Sequence, residues 1–420
     1  MYVYGLVFNL LPFSVTKFIL VFLVLFSINK PYIQRKIIND KFVMYAMAVG
    51  VAVCTHFLFI KYVYSTSGIV FVHQTFWYFV EGVLGTYLLY FYLRKSYSDL
   101  QILYLFFLVF VVQSLFVGLT FVNSSLRGFI NSVLRIDDVR NLSPYRMKGF
   151  ANSGGAGLSY LQALGVLIGG FLFMNEKRMR NHFFLILGII VITGAQVFIA
   201  RTGLFFSILL FLALLFQRAL ANRSLLLLVK QLFQGLGLLI VVFSLFLAFL
   251  PKERLEYFNE KVLSRALELF EAYQATGELQ SRSTDALKDM YFLPENMTKT
   301  LFGAGEWDGP VGTRSYSKRK VESDVGYVRA IFAIGLLMSI FIYSIYLIYI
   351  KKLYATKLGK SFSLGLLCLM VIFIFGETKE PFLVRSSGIV KTLFMIYFVS
   401  RFYGNEKKTE VIAPGNLKII

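Results

Sequence analysis

The sequence predicts an all-α polytopic integral membrane protein. Two observations carry that expectation. Apolar stretches of 18 or more residues recur along most of the 420 positions, the length that spans ~30 Å of hydrocarbon as helix. The chain is 57% hydrophobic and only 16% charged, against about 25% charged in soluble domains. A soluble enzyme, a disordered chain and a secreted disulfide scaffold are thereby excluded. The two cysteines, Cys54 and Cys368, both lie inside apolar runs, so neither a disulfide framework nor a cysteine metal centre is expected.

In chain order the apolar segments fall at 5–28, 42–64, 71–93, 100–122, 156–174, 182–200, 202–217, 224–250, 326–350, 361–376 and 385–400. These predict about eleven transmembrane helices. The segments at 202–217, 361–376 and 385–400 are short for a span and read as tilted, re-entrant or paired. The first segment carries Lys17 without a small-residue cleavage site and reads as a retained helix. The chain thus divides into N-terminal helices (1–122), a basic outer loop (123–155), a second set of helices (156–250), a large outer loop (251–325), and C-terminal helices with a basic tail (326–420).

Lysine and arginine mark the sidedness. Lys30, Arg35, Lys36, Lys41, Arg94, Lys95, Lys177, Arg178, Arg180, Arg218, Arg223, Lys351, Lys352, Lys357, Lys360 and Arg401 all fall in one set of short loops. That side is predicted to be cytoplasmic, with anionic membrane lipid as its partner. The net charge of +20 is thereby explained without a nucleic-acid partner. The outer loop 251–325 is nearly neutral. Its residues 254–274 repeat apolar positions at helical spacing, and Ser283 or Thr284 can cap a second helix ending near Pro294.

Chemistry must come from the few polar residues near the outer face. The three histidines, His56, His73 and His182, lie outside the long outer loops, which argues against a histidine metal site or a Ser-His-Asp arrangement. The outer loops instead pair arginine with glycine-rich turns. Arg146 leads through Gly149 to Asn152, Arg201 precedes Gly203, and Arg282 stands in the large loop. The planar guanidinium fork suits phosphate, although a single outer arginine also reads as an interfacial anchor. Arg201 stands out because it separates two apolar runs with almost no loop. Further on come Phe302 to Gly305, then Glu306 and Trp307 in a glycine-rich turn, then Asp324 at the start of the ninth helix, eleven residues before Gly335. Trp307 suits stacking on a sugar ring or an ordinary turn. Asp324 suits a proton acceptor or a helix-start aspartate. Glu377, Lys379 and Glu380 cluster at the outer end of the tenth helix and suit glycan hydroxyls or each other. Asp137 and Asp138 form an acidic pair that suits a divalent cation, but it lacks nearby supporting acids, which argues against a metal site. Glu81 and Lys61, in neighbouring helices, suit a structural ion pair.

Taken in order, Arg-x-x-Gly-Phe-x-Asn, Ala-Arg-Thr-Gly-Leu, Ser-Arg, Phe-Gly-x-Gly and a polar residue eleven before a glycine resemble the O-antigen polymerase and O-antigen ligase superfamily over 140–340. That resemblance implies a bacterial inner-membrane glycosyltransferase with a periplasmic active face, acting on undecaprenyl-diphosphate-linked oligosaccharide without metal or cofactor. A chain-length regulator protein is a further implied partner. Ligases place a histidine where this chain has Asp324, which favours a polymerase. Carried over, Arg201 and Asp324 are the implied catalytic residues. Arg146, Arg282, Asn152, Glu306, Trp307 and Glu377 are the implied contacts to diphosphate and glycan. A ligase, and a lipid-linked glycan flippase without catalysis, are the competing expectations.

Overall fold

The computed structural model describes residues 2–28, 30–64, 69–135, 147–152, 154–175, 179–221, 250–263, 287–307, 323–360 and 362–403, with isolated positions between 226 and 248 and at 273, 274 and 277. Among the described residues every regular element is helical. The helices are α1 (Val15–Ile28), α2 (Pro31–Ile38), α3 (Lys41–Tyr64), α4 (Ile69–Phe79), α5 (Thr86–Leu93), α6 (Asp99–Val122), α7 (Ser124–Val133), α8 (Gly155–Asn175), α9 (Met179–Ile199) and α10 (Arg201–Ala221). They continue as α11 (Lys252–Tyr257), α12 (Met297–Phe302), α13 (Gly326–Tyr354), α14 (Lys357–Lys360), α15 (Ser363–Glu377), α16 (Phe382–Arg385) and α17 (Ser387–Phe402).

Six of these, α3, α6, α8, α9, α10 and α13, are long and apolar enough to cross a membrane, and α1 with α2 forms a further pair bent by 107°. A polytopic membrane protein follows. Eleven full spans do not, for physical reasons that differ by segment. The stretch predicted as a helix from residue 5 begins its helix only at Val15. Pro12 disfavours helical backbone at Leu11, Gly5 takes φ 60°, and Phe8 instead bridges Leu134. The 71–93 segment is one unbroken helical run, but a π-helical turn at Val80–Gly85 separates α4 from α5. The 224–250 segment lies largely outside the described residues. In the large loop, α11 passes into a π-helical turn at Phe258–Leu263, and buried Phe258 packs on Phe198 and Phe121.

The basic loops gather at one end of the bundle. Arg401 pairs with buried Asp40 at 2.9 Å, Arg94 pairs with Asp99 at 3.6 Å and donates to the Phe402 carbonyl, and Arg218 lies over the Phe173 ring. In the described part of the 251–325 loop, Phe258 packs on Phe198 and Phe121, at the other ends of α9 and α6.

Helix α13 is two arms. Gly335 sits inside it at φ 77°, ψ 168°. A straight helix would hold residues 327 and 343 about 24 Å apart, yet the Tyr327 and Tyr343 rings are 5.1 Å apart. The arms 326–334 and 336–354 therefore fold toward each other at Gly335. The opened backbone is satisfied by protein. Ala304 N–H donates to the Phe332 carbonyl at 2.7 Å, and the Glu306 N–H reaches the same oxygen at 3.3 Å. His56 Nε2, on α3, lies 2.8 Å from the Phe302 carbonyl and 3.1 Å from the Ile334 carbonyl. Both partners only accept, so Nε2 carries the proton.

The C-terminal pair is also interrupted. Helices α15 and α17, of 15 and 16 residues, rise only about 22–24 Å. Their connection at 378–386 is buried from Pro381 to Val384 and so is inset from the far face. Non-helical backbone at that depth needs protein partners. The Leu383 carbonyl accepts from Tyr78 and Tyr346, and the Leu383 N–H donates to Glu377.

Candidate functional site

The end of the bundle opposite the basic loops collects most of the described candidates around this inset turn. Arg201 is the first residue of α10, separated from the end of α9 by Ala200 alone, and is half-buried. The close contact of α10 with α8 fixes it there. Gly203 N–H donates to Ser159 Oγ at 3.1 Å, and a Cβ on Gly203 would stand 2.4 Å from the Ser159 carbonyl oxygen. The glycine of the Arg-Thr-Gly run is thus a packing requirement that sets the arginine's position. Beside Arg201, the Thr202 side chain lies against the Tyr160 hydroxyl, within electrostatic reach of Glu380 and Glu377. Tyr160 in turn packs on Phe382 of the inset turn at 4.5 Å. Glu380 also approaches Gly157, at the start of α8.

Glu377 is fully buried. Its carboxylate accepts from the Leu383 N–H and, at 3.1 Å, from the Tyr343 hydroxyl. Gly326, the first residue of α13, has no room for a side chain because Glu377 Oε2 and Pro381 occupy that space. Glu377 therefore ties the inset turn to both arms of α13. The expectation that it hydrogen-bonds a glycan is corrected: its oxygens are spent inside the protein. Half-buried Glu380, on the same turn, lies near Tyr160.

Asp324 lies two residues before Gly326, so it is carried to the same neighbourhood. The helix cap is Val325, without a side-chain cap bond, so Asp324 is not the capping residue. Its carboxylate is instead 4.0 Å from Arg329, whose own side chain is 1% exposed against 46% for Asp324. Arg329 also donates from Nε to the Ser323 carbonyl at 2.5 Å. Sequence reasoning passed over Arg329 because one arginine in an apolar run gives no sign of its partner.

Trp307 is corrected as a sugar platform. It is 2% exposed, packs on Phe71 at 4.9 Å and lies 5.9 Å from the Arg329 guanidinium. Its neighbour Glu306 is half-buried and is held by its backbone to Phe332. Asn152 is half-buried in the segment that follows α7, with its backbone N–H 3.5 Å from the Tyr4 carbonyl. The same segment includes buried Lys148, whose carbonyl accepts from Gln113 at 2.6 Å. Arg146, Arg282, Asp137 and Asp138 lie outside the described residues.

The buried acid Glu81 has a different partner from the one expected. Glu81, in the π-helical turn, bonds Lys391 of α17 at 2.8 Å, with both side chains buried. Lys61 is not its partner. Lys391 also reaches Thr16 Oγ1 at 3.5 Å and lies 5.0 Å from the Tyr2 ring. Tyr2 donates to the Glu81 carbonyl, so the pair secures the N-terminal segment against α17.

Chemically the far end offers a guanidinium at a helix N-terminus, a hydroxyl pair, and carboxylates that are not fully buried, Glu380 and Asp324 among them. Such a set can hold an anion and accept a proton. Comparison with protein-family models, with curated proteins and with solved structures found no match to this chain.

Proposed function

We propose that the chain is a membrane glycosyltransferase that polymerises glycan repeat units carried on a lipid diphosphate, undecaprenyl diphosphate in the family it resembles. The supporting observation is the grouping of Arg201, Tyr160, Glu380 and Asp324 around one inset turn at the end away from the basic loops. In this reading that end is periplasmic and the membrane is a bacterial inner membrane. A sugar hydroxyl of one lipid-linked repeat attacks the anomeric carbon of the growing chain. The carbon–oxygen bond to the diphosphate breaks as the new glycosidic bond forms, and Asp324 takes the hydroxyl proton. Arg201 at the N-terminus of α10, where the helix dipole also favours an anion, stabilises the charge on the departing diphosphate. Arg146 and Arg282 join it, while Asn152 and Glu306 contact the glycan. No metal or cofactor enters this scheme.

A second reading has its own support. The helix broken at Gly335, the inset connection between α15 and α17 and the buried Glu81–Lys391 pair are features that transporters share. That reading makes the chain a carrier of lipid-linked glycan. Purified protein in liposomes, given one lipid-linked repeat unit, separates the two. A ladder of products supports polymerisation. Transfer of a single unit to an added lipid acceptor supports a ligase, and movement of the unit between leaflets without a new bond supports transport.

A further inference from the structure

At the basic end of the molecule two lysines share one aromatic ring. Lys30, in the bend between α1 and α2, places its ammonium 3.3 Å from the Phe26 ring centroid. Lys95, in the turn after α5, places its ammonium 3.9 Å from the same centroid. The two ammonium groups lie against each other, and the Lys30 amine is lowered to about 8, first by loss of water at this seat and then by the neighbouring Lys95 charge. Ammonium groups only donate hydrogen bonds and repel at this range. Among the described residues neither lysine pairs with a carboxylate. Their neighbour Arg94 is already held by Asp99 and the Phe402 carbonyl.

Below the lysines lies an aromatic wall. Tyr92 meets Phe26 edge-on at 5.2 Å and Phe22 edge-on at 5.5 Å. Phe22 and Tyr92 remain 53% and 37% exposed, on the outside of the bundle. The 107° bend between α1 and α2 places Lys30 at the end of apolar α1, where in a bilayer the lipid headgroups would begin. A paired cation at headgroup level above an exposed aromatic wall calls for an anion that carries its own hydrocarbon.

We infer that Lys30 and Lys95 bind the phosphate of an anionic phospholipid from the surrounding leaflet, with its acyl chains along Phe22, Phe26 and Tyr92. The phosphate oxygens accept from both ammonium groups and remove their mutual repulsion. The site is at the opposite end from Arg201 and Asp324, so it stands whether or not the catalytic proposal does.

The test uses the full-length protein in a neutral detergent. Dioleoyl phosphatidylglycerol or dioleoyl phosphatidylcholine is added, and bound lipid is counted by native mass spectrometry. Wild type is expected to retain phosphatidylglycerol in preference to phosphatidylcholine. Lys95→Gln, at an exposed position, should weaken that retention about fivefold, and Lys30→Gln with Lys95→Gln by tenfold or more, on the basis of about a fivefold effect per lysine. Lys351→Gln with Lys352→Gln, on the same face, should leave it unchanged. Phe22→Ala, which touches no charge, should also weaken it and serves if the double lysine variant does not fold. Equal retention of the two lipids, no effect of Lys95→Gln, or full displacement of phosphatidylglycerol by millimolar inorganic phosphate would each overturn the proposal, the last by showing a site for free phosphate.

Discussion

Gly303 and Gly335 meet backbone to backbone. A Cβ on Gly303 would lie 2.7 Å from the Gly335 nitrogen, and a Cβ on Gly335 would lie 2.3 Å from the Leu301 carbonyl oxygen. Both glycines hold φ/ψ values, 96°/159° and 77°/168°, in a region open almost only to glycine. Gly335→Ala therefore faces strain and a clash together. It should destabilise by about 3 kcal/mol or more, visible as a lower unfolding temperature in detergent. Ala at Gly118, which has open space around it, is the control and should be neutral.

His56 holds the same junction from α3, so its replacement separates donor from shape. His56→Gln keeps an N–H and should retain most stability. His56→Phe keeps bulk and leaves two carbonyls without that donor, at a cost of about 1–3 kcal/mol. Equal melting temperatures for the two variants would remove His56 from the junction's support.

Breaking the Glu81–Lys391 pair on one side should cost more than removing both charges. Lys391→Met alone leaves a buried carboxylate without its counter-ion, a loss of about 3–5 kcal/mol. Glu81→Gln with Lys391→Met should recover much of that. Folded yield after membrane extraction and size-exclusion chromatography reads the difference. A double variant no better than Lys391→Met would show that the pair is not coupled.

The catalytic proposal stands on Arg201 and Asp324. Arg201→Lys keeps charge but loses the fork and should lose most polymerisation, as should Arg201→Ala. Asp324→Asn should cut it by about 10²–10⁴-fold with near-normal folding, since the buried Arg329 keeps its bond to the Ser323 carbonyl. Ladder formation within a few-fold of wild type for Asp324→Asn would leave Asp324 only its pairing with Arg329, and make Glu380 the next acid to test.

Sidedness is open to direct labelling. Cysteine at exposed Glu295 should react with an impermeant thiol reagent on intact cells, and cysteine at exposed Lys352 only after the membrane is opened. The reverse pattern would put the proposed active face in the cytoplasm.

Much of this architecture was legible in the sequence because hydropathy reports depth. The ends of α3, α6, α8 and α9 fall within about three residues of the apolar runs that foretold them, and the basic loops do share one end. Depth says nothing about direction around a helix axis, so Glu81 was paired with Lys61, close in sequence, when its partner is Lys391. The break at Gly335 was hidden for a related reason. Both arms of α13 are apolar, so the run reads straight through a glycine whose role depends on Gly303 approaching from another segment. Trp307 and Glu377 were read as surface groups because glycine and charge surround them. Their burial comes from that same fold-back, which lets α12, the turn after it and the inset connection close over them. Arg201, by contrast, was placed correctly at the junction of two helices, since a charge between adjacent apolar runs has nowhere else to sit.

The buried ion pair has a consequence for biosynthesis. Glu81 and Lys391 are 310 residues apart in the chain. At ~5–20 residues per second, a ribosome completes Lys391 about 15–60 s after Glu81. For that interval the first helices are in the membrane with an acid whose counter-ion does not yet exist. During synthesis the Glu81 carboxyl must wait without Lys391, beside water or an insertion factor. The N-terminal segment, secured by Tyr2 and Thr16 to the same pair, can reach its final place only after α17 arrives. A chain truncated before α17 should accordingly be cleared by membrane quality control, although nearly all its apolar segments are intact.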